Sequence, residues 1–168
     1  ESSLQYSNTP GLPGLLEHLT NLQIAEHGNV QPDGTAISVT TGSQDALAKA
    51  FDALLEPGDT LMVEAPTYSG SLAYLQPIGC GLQGVECDEH GMVPDDLRRQ
   101  LEEWDVQAQG KRPQVIYTIP TGSNPTGASL SLSRKLELYQ IARDYDMIVL
   151  EDDPYYYLSF REGEGEGE

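Results

Sequence analysis

The run Glu151-Asp152-Asp153-Pro154-Tyr155 follows directly on the apolar stretch Met147-Ile148-Val149-Leu150. Read as a buried strand, that stretch carries acids, and a phenol three residues after Asp152, to the carboxyl edge of a sheet. Open α/β folds hold their ligands at that edge. Upstream, Val115-Ile116-Tyr117-Thr118-Ile119 reads as another strand and ends in Pro120-Thr121-Gly122-Ser123-Asn124-Pro125-Thr126-Gly127. Asn124 there offers both donor and acceptor groups. In Thr41-Gly42-Ser43-Gln44 a tight turn leads into a helix, whose amino-terminal N–H groups and dipole suit a phosphate. Pro66-Thr67-Tyr68-Ser69-Gly70 places an aromatic just past a further strand end, able to stack on a planar ligand. Each stretch also has an ordinary reading. Asp and Pro favour turns, Ser43 serves as a plain helix cap, and Tyr68 packs on the sheet edge.

Strands and helices must alternate to bring these stretches together. Apolar spacing predicts a helix from Leu12 to Glu26, with Leu15, Leu16, Leu19, Leu22 and Ile24 as its stripe. A strand follows at Ala36–Thr40 and a helix at Ser43–Leu55, stopped by Glu56-Pro57-Gly58-Asp59. Thr60–Val63 is the next strand, Tyr68–Leu75 a short helix, and Leu82–Glu86 a strand. Pro94 opens a helix to about Trp104, residues 105–112 form a polar loop, and a helix over Ser131–Tyr145 precedes the last strand. Such alternation implies a mostly parallel sheet covered on both faces.

The chain has 168 residues and is 38% hydrophobic, enough for a core within one domain. Its net charge of −18 argues against nucleic acid or an anionic membrane as a partner, because both call for clustered Lys and Arg. No apolar run approaches the roughly 18 residues of a membrane span. The amino terminus shows neither a signal segment nor an initiator Met, so the chain is expected to begin inside a longer protein. The Gly-Glu alternation of residues 161–168 is low in complexity and receives no function. Cys80 and Cys87 flank a strand that holds them too far apart to bridge, which favours reduced thiols in an intracellular protein. Two isolated cysteines make no metal set.

Taken in order, Thr41-Gly42-Ser43-Gln44, Pro57-Gly58-Asp59, Pro66-Thr67-Tyr68-Ser69-Gly70, Asn124-Pro125-Thr126-Gly127 and Glu151-Asp152-Asp153-Pro154-Tyr155-Tyr156 resemble the large domain of the fold-type I pyridoxal-phosphate aminotransferases. The resemblance is closest to the kynurenine/2-aminoadipate and fungal aromatic branch, and it starts at Leu4-Gln5-Tyr6-Ser7. It implies a three-layer α/β/α sandwich, incomplete here, with residues 1–160 as a partial cofactor-binding domain. Ser43 and Gln44 would hold the cofactor phosphate and Tyr68 would stack on its ring. Asn124 and Tyr155 would hydrogen-bond the ring's phenolate oxygen, and Asn124 would also touch the substrate carboxylate. Asp152 would face the protonated pyridine nitrogen, leaving Asp153 a structural role. Tyr6 would reach a neighbouring subunit's phosphate, which implies a homodimer. Cis peptide bonds are expected at Ala65-Pro66 and Asn124-Pro125.

The same resemblance marks what this sequence lacks. The family's Schiff-base lysine lies beyond the Asp-x-x-Tyr strand, and Lys49, Lys111 and Lys135 match no such position. The strands that flank Ala36–Thr40 in the family's sheet are missing too, so a segment of a larger enzyme is expected. The implied reaction transfers an amino group from an aromatic amino acid, kynurenine or 2-aminoadipate to a 2-oxo acid such as 2-oxoglutarate. An aminotransferase-like ligand sensor in a transcription regulator and an inactive truncated product are the alternatives. Sequence does not separate cytosol from mitochondrion.

Overall fold

Four parallel-type strands in this chain are short, apolar and separated by helices, so each must be completed by a neighbour reached through a crossover. The computed structural model describes residues 5–28 and 34–159. Leu4 and the tail at 161–168 lie outside them. The chain divides into two compact units, Glu1–Ala46 and Leu47–Glu168.

In the first unit, α1 (Pro13–His27) starts on a Pro at its first turn and ends at Gly28. It matches the predicted helix, yet none of its residues is buried, and Leu15 and Ile24 are among its exposed apolar side chains. Gly11 has φ +136°, and a β-carbon there would come within 3.1 Å of Val39 Cγ2. That close approach lets Val39 N donate to Pro10 O at 2.7 Å. The strand expected at Ala36–Thr40 does not form: residues 35–40 join no ladder among the described residues. β propensity alone cannot make a strand when no adjacent backbone takes up its N–H and C=O groups. Helix α2 (Ser43–Leu54) then starts after Gly42.

The second unit is built on a five-stranded sheet in the order β3-β2-β1-β4-β5, comprising β1 (Thr60–Ala65), β2 (Gly81–Asp88), β3 (Gly91–Met92), β4 (Val115–Thr118) and β5 (Ile148–Glu151). β1 pairs in parallel with β2 and β4, and β4 in parallel with β5. Only the two-residue β3, which the sequence did not reveal, runs antiparallel. Helix α3 (Ser69–Ile78) links β1 to β2, α4 (Pro94–Glu102) follows β3, and α6 (Leu132–Asp144) links β4 to β5. The predicted loop at 105–112 contains one further helical turn, α5 (Val106–Gln109), because Asp105 accepts from Gln107 N and Ala108 N. Helix α3 outlasts its predicted end at Leu75. Pro77 falls in its final turn, where only one donor is lost before Gly79 closes the helix at φ 82°.

Alternation along the strands divides the core into two layers. Met62, Val85 and Ile116 pack with Leu97 and Leu101 of α4 and with Leu138 and Ile141 of α6. Leu61, Val63, Val115 and Tyr117 point the other way, toward Leu47, Phe51 and Leu75. The second unit therefore has helices packed on both faces of a mostly parallel sheet, as the alternation predicts, in keeping with the sandwich that the resemblance implies. β5 differs from the expected buried strand: Ile148 is 50% and Val149 41% exposed. Among the described residues only β4 pairs with it, so it lies at the edge of the described sheet. Cys80 and Cys87 are both free.

Asp96, in the first turn of α4, secures that helix to β2. Its Oδ2 accepts from Glu86 N at 2.9 Å and from Gln100 Nε2 at 2.6 Å, and Oδ1 accepts from Arg99. Burial opposes its charge, but the donors at Glu86, Gln100 and Arg99 outweigh it, so its pKa lies below the usual aspartate value. A depressed folded pKa adds stability above the unfolded value of about 3.9 and loses it as pH falls through the folded one. Asp96→Ala should cost about 2 kcal/mol in urea unfolding near neutral pH. The gap between variant and parent should narrow below about pH 4. A gap of equal size at pH 3 and pH 7 would contradict this account.

Candidate active site

The chain runs from β1 outward to β2 and returns to β4 on the other side of β1. In open α/β sheets such a reversal is where a ligand crevice forms, here beyond the carboxyl ends of β1 and β4. The stretches after β1, β4 and β5 meet along this edge.

At the end of β1, Glu64 is 2% exposed. Its Oε1 accepts from Thr118 Oγ1 at 2.6 Å and from Ile119 N at 3.1 Å. Its Oε2 accepts from Ser123 Oγ at 2.5 Å. One side chain therefore joins β1, β4 and the loop carrying Asn124. That loop closes on itself through Ser123 N to Ala128 O (2.7 Å) and Leu130 N to Pro120 O (2.8 Å). Gly122 and Gly127 take left-handed φ values of 56° and 76° there, which favour glycine. Asn124 is exposed, and the peptide bonds Asn124-Pro125 and Ala65-Pro66 are both cis.

Tyr68 precedes α3 and packs against the core layer of Val63, Leu75 and Tyr117. Its ring covers Gly70, where a β-carbon would collide with it. The packing role is therefore real, and the ring remains partly exposed at the sheet edge.

Asp152 follows β5, and its N donates to Thr118 O at 2.9 Å. Its Oδ2 accepts from Tyr117 OH at 2.9 Å, and Tyr117 in turn accepts from Ser71 Oγ at 3.0 Å. Oδ1 receives no hydrogen bond from the described residues. Burial raises the pKa of Asp152 and the neighbouring Asp153 adds to the rise, while the Tyr117 hydrogen bond acts against it. Asp153 Oδ1 is buried without a partner among the described residues. Tyr155 lies beside the Asn124 loop, its ring 3.7 Å from where a Gly122 β-carbon would stand.

The edge thus gathers Tyr68, the Asn124 loop, Asp152 and Tyr155. Ser43 and Gln44 occupy the exposed first turn of α2 in the other unit, after Gly42 at φ 156°. Tyr6 belongs to that unit as well and is fully exposed. Of the lysines, Lys111 pairs with Asp59 at 3.4 Å, at the amino end of β1. A six-residue strand separates it from the crevice, a span of roughly 17 Å. Lys49 sits within α2 and Lys135 in the first turns of α6. Three residues of the network carried no assignment from sequence: Ser71, Tyr117 and Glu64. Tyr117 was hidden in an apolar strand, and Glu64 fell just past the strand expected at Thr60–Val63. Among the described residues, no cluster of His, Cys, Asp and Glu suits a metal ion, and no helix is long and apolar enough to cross a membrane.

Known proteins resemble this chain in sequence and fold. The family described as aminotransferase class I and II matches residues 1–164. The mitochondrial kynurenine/alpha-aminoadipate aminotransferase of Bos taurus is 42% identical over 94% of this chain and 40% of its own length. The L-tyrosine:2-oxoglutarate aminotransferase of Tapinella panuoides is 36% identical over 95% of this chain and 30% of its own. Among solved structures, the Candida albicans aminotransferase Aro8 superposes with a TM-score of 0.87 at 34% identity, over 96% of this chain and 33% of that one. Kynurenine aminotransferase from Pyrococcus horikoshii, determined with PMP and kynurenine, gives 0.81 at 36% identity, over 90% and 37%. This chain spans about 40% or less of the length of these relatives. With a family match over almost its whole length and the fold-type I sheet beneath it, the chain belongs to the class I and II aminotransferases.

Proposed function

We propose that the whole protein is a pyridoxal-phosphate-dependent aminotransferase, moving an amino group from an aromatic amino acid, kynurenine or 2-aminoadipate to a 2-oxo acid. The observation that carries this is Asp152, a half-buried carboxylate at the sheet's carboxyl edge with Oδ2 held by Tyr117 and Oδ1 open. A carboxylate whose pKa is raised by burial and by Asp153 gains from a cationic neighbour. A protonated pyridine nitrogen is such a neighbour. The other groups at the edge also suit that cofactor: a partly exposed aromatic ring at Tyr68, an exposed amide at Asn124 and a phenol at Tyr155.

In this reading Asp152 holds the proton on the ring nitrogen, and Tyr68 lies against the ring face. Asn124 and Tyr155 hydrogen-bond the ring's phenolate oxygen, and Asn124 also orients the substrate carboxylate. Ser43 and Gln44, with the backbone amides that open α2, take the phosphate. Residues 1–160 act as the cofactor-binding part, and Tyr6 serves the phosphate of a second subunit in a homodimer. When bound, pyridoxal phosphate supplies the electron sink for the pair released at the substrate α-carbon. Relatives named for kynurenine, aminoadipate, tyrosine and 2-oxoglutarate support the substrate class.

Transamination by the whole protein, with kynurenine, 2-aminoadipate, tyrosine and phenylalanine as donors and 2-oxoglutarate as acceptor, tests the reading. Absence of turnover with all four donors would overturn it. Asp152→Ala should lower kcat by about a thousandfold while the protein stays folded. Asp153→Ala should be the milder change, and the reverse ranking would shift the assignment to Asp153.

Tyr68 separates stacking from packing. Tyr68→Phe should retain cofactor nearly as the parent does, and Tyr68→Ala should weaken retention about tenfold in a titration. Equal retention by all three proteins would leave Tyr68 a packing residue only.

A further inference from the structure

We propose that Tyr117, braced by Ser71, is the positioning residue for Asp152: it clamps Oδ2 and leaves Oδ1 as the one oxygen directed at a cationic ligand. The inference rests on the reading of Asp152 given above. Packing alone does not call for a tyrosine here. Tyr117 is 0% exposed, lies between Val115 and Ile119 on the apolar face of β4, and meets Phe51 edge-on at 5.7 Å. A phenylalanine would fill the same space, and a buried hydroxyl without partners is costly.

The hydroxyl has two partners, and they fix its direction. A carboxylate oxygen only accepts, so the single phenol hydrogen points to Asp152 Oδ2 at 2.9 Å. The phenol oxygen then accepts from Ser71 Oγ, 3.0 Å away and also 0% exposed. The order Ser71 to Tyr117 to Asp152 follows, each bond polarising the next. It crosses three elements, α3, β4 and the end of β5, while Asp152 N is tied separately to Thr118 O. Backbone and side chain of Asp152 are therefore both held. The charged groups that act on this chain are Asp153 upon Asp152, and Glu64 and Asp152 upon Tyr117. Burial pushes the ionisation of Tyr117 far upward, so it remains a donor wherever Asp152 titrates.

The test uses the whole protein, freed of cofactor and labelled with carbon-13 at the aspartate carboxyls, with Asp152→Asn to assign the signal. Tyr117→Phe should raise the midpoint of Asp152 by about one pH unit, since a hydrogen bond to the charged form is lost. Ser71→Ala should shift it the same way by less. Pyridoxal-phosphate affinity should fall about tenfold in Tyr117→Phe, and by less in Ser71→Ala. A core residue with no bearing on Asp152 would leave that titration alone, so an unmoved midpoint in folded variants overturns the proposal. Should Tyr117→Phe fail to fold, Ser71→Ala decides alone. If Asp152→Ala loses the cofactor while Tyr117→Phe and Ser71→Ala leave the Asp152 midpoint unmoved, the clamp is wrong and the aminotransferase reading stands. If Asp152→Ala retains the cofactor as the parent does, that reading falls and the positioning role falls with it.

Discussion

A buried glutamate at the end of the central strand is the constraint on which the crevice depends. Glu64 cannot leave water without partners, and it finds three: Thr118 at the end of the neighbouring strand, Ile119 just past it and Ser123 in the loop beyond. β1 and β4 already pair in parallel up to Val63 and Tyr117, so their ladder has delivered Glu64 opposite Thr118. The side chain extends that pairing past the last ladder bond and sets the start of the Asn124 loop. The loop's glycine turns and internal hydrogen bonds then carry its course to Leu130.

Alternation along the same strands divides the polar groups between two faces. Glu64 and Thr118 share the parity of Met62 and Ile116, which pack under α4 and α6. Tyr117 has the opposite parity and meets Ser71 from α3. One network therefore fixes the loop and the other fixes the acid after β5. Asp152 joins them by its backbone, through Thr118 O, and by its side chain, through Tyr117.

Much of this architecture was legible because helices and strands differ in apolar period, and because Gly and Pro mark where each ends. The four parallel strands of the sheet and the helices that cross between them follow from that contrast. What failed depended on neighbours. Ala36–Thr40 has the composition of a strand but no ladder among the described residues, and Ile148-Val149 has the composition of a buried strand but lies at an edge. α5 turned on a single cap at Asp105, and β3 is too short to show a period. Within the site, a strand buried on both faces carries no alternation, so Tyr117 looked like any apolar neighbour. Its hydroxyl acquires meaning only from Ser71 and Asp152, which are distant in sequence. The choice of Asp152 over Asp153 came from resemblance, and physical chemistry adds a reason the sequence did not show: one of the two adjacent acids is gripped by a buried phenol and the other is not.

That an acidic chain would hold an anionic cofactor, as proposed, raises an apparent conflict, and scale resolves it. The net charge of −18 acts over the whole surface, where salt screens it beyond about 8 Å. A phosphate at the start of α2 would instead be held by backbone N–H groups at hydrogen-bond distance, which overall composition does not alter. The ring end follows the same local rule with the opposite sign. There burial first, and the neighbouring Asp153 second, disfavour the charge on Asp152, a penalty that a protonated ring nitrogen would relieve. Net charge thus bears on long-range partners such as nucleic acids and membranes. Recognition of a small zwitterionic cofactor is decided by which few atoms the folded edge leaves open.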